Sequence, residues 1–78
     1  MYYVYVVKLP NNKLYIGFSS DLKTRIKAHE YKKDIKGLIY YEAYQNEQDA
    51  RNRERQLKNF KSAYGHLKKR ILRSIEDV

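Results

Sequence analysis

Three features of this chain predict a mixed α+β domain. Aromatic and β-branched residues alternate at its start. A second alternating run follows a Pro-Asn-Asn turn. Apolar residues then recur at helical spacing through most of the remainder. The expected order is β-β-α-β-α-α, a small and mostly antiparallel three-stranded sheet flanked by three helices.

Residues 2–8 alternate, with Tyr3, Tyr5 and Val7 on one side and Val4 and Val6 on the other. Leu9-Pro10-Asn11-Asn12-Lys13 is turn chemistry, because Pro presets φ and Asn tolerates left-handed backbone. Residues 13–18 alternate again, Leu14, Ile16 and Phe18 opposite Tyr15 and Gly17, which completes a hairpin. Tyr5 and Tyr15 can then share a face of the sheet. Ser19-Ser20-Asp21 reads as a helix start, a Ser capping the orphan N–H groups and Asp21 suiting the positive end of the dipole. The helix is predicted over 21–31, with Leu22, Ile26 and His29 as its inner stripe and Arg25 beside it. Residues 32–37 form a loop. Residues 38–44 form the third strand, and Asn46 caps a second helix that runs to about residue 59 with Ala50, Glu54 and Leu57 inward. A third helix is expected to separate at Gly65 or just before it, carrying Leu67, Ile71 and Ile75 at spacing four.

At 78 residues the chain is read as a single domain, residues 1–78. A chain of this size buries only about 60% of the surface exposed in its unfolded form. It has no cysteine, which excludes disulfides and thiolate metal sites and suits the cytoplasm. No apolar stretch has the length of a membrane span, and the first residues lack the pattern of a signal peptide. Lys and Arg number 17 against 9 Asp and Glu, a net charge of +8. On so small a body that field favours a polyanion, and nucleic acid is the first candidate partner.

Five residues stand out for chemistry. Glu54 is a carboxylate on an apolar helix stripe, costly to desolvate unless it is paired or binds a cation. It reads either as an ion pair at the core edge or as a ligand for a divalent metal such as Mg²⁺, which keeps several waters and needs few protein donors. Arg25 is either one more solvated cation or a fork for phosphate oxygens. His29, one turn beyond it, is either a half-buried packing residue or a general acid or base. Tyr5 and Tyr15 are good strand residues in a chain with nine tyrosines, yet paired phenols beside cations can also handle a proton. Gly17 marks a bulge or a close approach, and one reading is that it opens space beside Tyr15 for a phosphate. His66 is read as surface. No P-loop, Rossmann glycine pattern, zinc spacing or Ser-His-Asp order is present, so no nucleotide cofactor is expected.

Taken in order, the Tyr3-Val4-Tyr5 and Tyr15-Ile16-Gly17 triplets, the Ser20–Arg25 helix start and Arg53-Glu54-x-x-Leu57-Lys58 resemble the GIY-YIG nuclease domain. They resemble in particular the small stand-alone bacterial proteins related to the N-terminal domain of excinuclease C. Tyr3 stands where the family's first triplet has Gly. The resemblance implies hydrolysis of DNA phosphodiesters with a single Mg²⁺ or Mn²⁺ ion, in DNA repair or processing. It implies that Tyr15, helped by Tyr5, activates the attacking water, that Arg25 binds phosphate and stabilises the transition state, and that Glu54 holds the metal. His29 falls where relatives carry His or Tyr. Branched, flapped and nicked DNA are the substrates this suggests, and a protein partner or a homodimer stays open. The alternative is a non-catalytic nucleic-acid-binding module that retains the fold, to which the charge lends equal support.

Overall fold

The computed structural model describes all 78 residues. Strands β1 (Tyr2–Lys8), β2 (Leu14–Ser19) and β3 (Gly37–Tyr44) form one antiparallel sheet in the order β2-β1-β3. Helix α1 (Leu22–Lys32) lies on one face. Helices α2 (Glu47–Asn59), α3 (Lys61–Arg70) and α4 (Leu72–Asp77) follow β3, and the core formed with α2, α3 and Ile71 lies on the other face. No helix is long and apolar enough to cross a membrane.

The alternation of β1 decides which core each residue joins. Val4 and Val6 pack with Ile16, Ala50, Leu57, Leu67 and Ile71. Tyr5 and Val7 pack with Leu22 and the half-buried Ile26 and Leu38. Pairing of Tyr5 with Gly17 and of Val7 with Tyr15 puts Tyr5 and Tyr15 on the α1 face as diagonal neighbours. Toward β3 the register shifts between Val6 and Val7, so Ile39 is an extra residue that turns to the α2 core.

Two expectations about the helices are corrected. The α1 cap is Asp21, whose carboxylate accepts from Thr24 N–H at 3.1 Å. Ser19 ends β2, and its Oγ accepts from Asp21 N–H. The region after α2 holds two helices in place of one, so the sheet is flanked by four helices in all. The first of the two starts at Lys61, after the extended Phe60, and runs through Gly65, where a side chain would meet open space. It stops at Ile71, and Ile75 belongs to α4. Leu67 and Ile71 both reach the core beneath α2.

Two contacts hold the layers. Glu42 on β3 accepts a bidentate pair from Arg53 on α2, with Nε at 3.0 Å from Oε1 and Nη2 at 3.1 Å from Oε2, and hydroxyl bonds from Tyr40 and Tyr44. Burial alone would raise the Glu42 pKa, but the bonds from Arg53, Tyr44 and Tyr40 outweigh it and hold the carboxyl below its ordinary range. The same network, with burial, pushes Tyr44 up to about 12. At the other end of the sheet Lys8 Nζ donates to the carbonyls of Ile75 at 2.9 Å and Val78 at 3.0 Å, satisfying the open end of α4.

A depressed folded-state pKa means that Glu42 contributes stability above its unfolded value of about 4.3 and loses it as pH falls through the folded value. Melting temperatures of wild type and Glu42→Gln should therefore differ most near neutrality, with the variant lower, and converge in acid. An undiminished gap in acid would show that charge is not the source. A Cβ at Gly17 would run into the Tyr5 ring, so Gly17→Ala should cost about 1–3 kcal/mol in urea unfolding. The effect should shrink in a Tyr5→Val background, where the colliding ring is gone.

Candidate active site

Tyr5 is the deepest of the candidate residues, only 2% exposed. Its ring lies over Gly17, with the hydroxyl end closest to the glycine. The space that Gly17 leaves is therefore filled by Tyr5. The glycine serves the phenol and does not open a phosphate pocket, which corrects the expectation from its place in the strand. Gly17 has ordinary backbone angles, so close approach and not a positive φ is what requires it. Tyr15 lies two residues before Gly17 on the same face of this edge strand and is 44% exposed.

Burial raises the Tyr5 pKa above 10. Arg25 opposes that rise, while Tyr15, Glu54 and Asp34 add to it. Tyr5 is thus a neutral phenol at physiological pH, a donor and not a standing base. The groups that act on it also define the cluster. Arg25 comes from the β2-facing flank of α1, is exposed, and has no carboxylate partner.

Glu54 comes from α2. Arg51, Glu54 and Lys58 share one flank of that helix at i, i+3 and i+7. The Arg51 guanidinium stacks 4.1 Å from the Phe18 ring centroid, and the Lys58 ammonium lies 5.6 Å from that of Tyr15. That flank therefore runs along β2 and sets Glu54 beside the tyrosine edge. Its side chain is 19% exposed, and Oε2 pairs with Lys58 at 3.0 Å. The expected inner stripe holds at Ala50 and Leu57, which are buried, while Glu54 sits at the margin of that stripe with a cation to satisfy it.

His29 meets Tyr5 edge-on at 6.4 Å between centroids. Its Nδ1 bonds Asp34 Oδ1 at 2.9 Å, while Nε2 is buried with no partner. A carboxylate at Nδ1 fixes the neutral ring with its proton there and leaves the Nε2 lone pair inward. Asp34 reaches His29 because α1 ends in a Schellman turn. Lys33 adopts a left-handed conformation at φ 57°, with its N–H on Glu30 O and the Asp34 N–H on His29 O. Tyr15, His29 and Asp34 line one recess of about 180 Å³ with Leu9 and Ile35.

All five candidate residues thus lie along the β2 side of the sheet. Asp34 and Lys58 join them. The Glu54/Lys58 spacing of four was the available signal for Lys58, whereas nothing in the loop residues pointed to Asp34. His66 is exposed, on α3. The metal question rests on Glu54 alone, because no three His, Cys, Asp or Glu residues gather in one place. One hard oxygen donor, its other oxygen held by Lys58, is too little for a zinc or calcium cage. It fits an ion that keeps most of its water shell and takes further oxygens from a phosphate.

The β2 side of the sheet thus gathers two phenols, a guanidinium with no acidic partner, an imidazole with its Asp34 and the carboxylate of Glu54 on a strongly basic body. Residues 1–70 match the GIY-YIG catalytic domain, and the chain belongs to this family of nucleases. Among similar proteins, a UPF0213 protein of Clostridium perfringens is 36% identical over 74% of this chain and 71% of its own. One of Staphylococcus haemolyticus is 33% identical over 76% and 82%, and one of Staphylococcus aureus 28% over the same shares. No solved structure gives a significant match.

Asp34→Ala should release the His29 tautomer. In nitrogen-resolved NMR of the imidazole, the proton should sit on Nδ1 in the wild type and redistribute toward Nε2 in the variant, with the fold intact. An unchanged ring spectrum would mean that Asp34 does not orient His29.

Proposed function

We propose that this protein is a divalent-metal-dependent endonuclease that hydrolyses DNA phosphodiester bonds in repair or processing. The observation that carries this reading is the convergence of Tyr15, Tyr5, Arg25 and Glu54 on one exposed strand edge of a +8 domain. DNA is the partner. The cysteine-free composition suits the cytoplasm, where we place the protein, and residues 1–78 form one catalytic domain.

The phosphate binds at Arg25, whose unpaired guanidinium donates to two oxygens at once and binds more strongly as charge builds on them. Tyr15, open to solvent, takes a proton from the attacking water in step with losing its own. His29 is the next acceptor, because it shares the Tyr15 recess and keeps a lone pair on Nε2. Tyr5 stays protonated and donates toward the oxygens at the site. Glu54 would hold a Mg²⁺ or Mn²⁺ ion, which when bound stabilises negative charge on the scissile phosphate and leaving oxygen. Lys58 holds only Oε2, so Oε1 is the oxygen open to the ion.

Plasmid, nicked, flapped and branched DNA incubated with Mg²⁺ provide the test. Wild type should cut at least one of them, and chelation should stop it. Glu54→Ala and Arg25→Ala should each slow cutting on the order of 100- to 1,000-fold, and Tyr15→Phe on the order of 100- to 10,000-fold. Equal cutting by wild type and Glu54→Ala would defeat the proposal.

A further inference from the structure

On the opposite flank of α1 from Arg25, a cleft of about 400 Å³ opens between the helix and β3. Its floor is Leu22, Ile26 and Leu38. One wall is a pair of tyrosines, Tyr3 and Tyr41, edge-to-face with centroids 6.0 Å apart. Tyr41 is 52% exposed, an unusual state for a ring on a half-covered sheet face. The other wall carries Lys23 and Lys27, one turn apart, both exposed and neither bonded to any acid. Glu30 is the one carboxylate at the rim.

We infer that this cleft takes an unpaired nucleobase of the nucleic-acid strand, stacked on Tyr41, with Lys23 and Lys27 holding the phosphates beside it. The inference rests on the nuclease reading and narrows its substrate to DNA with a single-stranded segment near the cut. A flat aromatic face within an apolar slot, flanked by two free ammonium groups, matches the two halves of a nucleotide. The volume suits a ligand of that size. Charge complementarity selects this occupant over a second copy of the chain, which would bring another +8 body against the same lysines. The cleft lies on the Tyr5 face, since Tyr41 pairs directly with Tyr5 across the sheet. A strand passing the β2 edge therefore has only α1 to cross before reaching Tyr41. Tyr3 completes the aromatic wall.

Binding of a labelled short oligothymidylate and of a blunt duplex, both in chelator so that nothing is cut, tests this. Tyr41→Ala should weaken the oligothymidylate roughly 5- to 150-fold and leave the duplex unchanged, while Tyr41→Phe should match wild type. Replacing Lys23 and Lys27 by Ala should each reduce the salt slope by about 0.7. Tyr41 is exposed enough that the Ala variant should keep the fold, which circular dichroism checks. Unchanged oligothymidylate binding by Tyr41→Ala overturns the inference, as does sedimentation showing a wild-type dimer that this variant dissociates. Cleavage measured in parallel separates the two readings. Wild-type cutting that Glu54→Ala abolishes, beside normal Tyr41→Ala binding, overturns only the cleft. A Tyr41→Ala binding defect in a chain that never cuts overturns only the nuclease reading and leaves the cleft supported.

Discussion

The ring of Tyr5 can lie against β2 only because Gly17 has no side chain, and the rest of the site is arranged around that contact. It makes one residue serve two purposes. Its body belongs to the core under α1, while its hydroxyl end reaches the edge strand that carries Tyr15. Arg25, His29 and Glu54, from two different helices, are then gathered around a fixed phenol and not around a mobile one. A core residue is a good origin for a site whose other members lie nearer the surface.

The second constraint is electrostatic. A net charge of +8 favours polyanions over the whole body and singles out no one position. Glu54 stands apart as a carboxylate set among Arg51, Arg55 and Lys58. Lys58 keeps that charge satisfied in the resting protein through a single contact from a solvent-exposed ammonium, an exchangeable partner. Glu42 makes the contrast clear. Its three partners and its deeper burial make it a fixed tie between β3 and α2, not an exchangeable group.

The legible parts of this molecule were those with a local cause. Alternation through Tyr3, Tyr5 and Tyr15 announced the hairpin and the shared tyrosine face. The apolar stripes announced α1 and α2 and placed Arg25 and Glu54. What stayed hidden depended on contacts between distant residues or on backbone states without a preferred residue. The breaks at Phe60 and Ile71 carry no local signal, since neither α3 nor α4 has a side-chain cap to mark its start. Asp34 reaches His29 through a left-handed Lys33, a residue with no particular taste for that conformation. Gly17 was rightly read as a place of close approach, but its partner became visible only with the register of β1 on β2. The Tyr3–Tyr41 wall needed the register of β1 on β3, with its bulge.

The grip of Lys8 on the carbonyls of Ile75 and Val78 also bears on the order in which the molecule can assemble. β1 precedes β3 in the chain and is the central strand of the sheet, so after pairing with β2 it must keep one edge open until residues 37–44 join it. The Lys8 contact then joins residues 67 and 70 positions apart. Closing so long a loop comes late, after the local hairpin and helices have formed. The tyrosine hairpin, a local unit, is thus in place before the far end of the sheet is tied down.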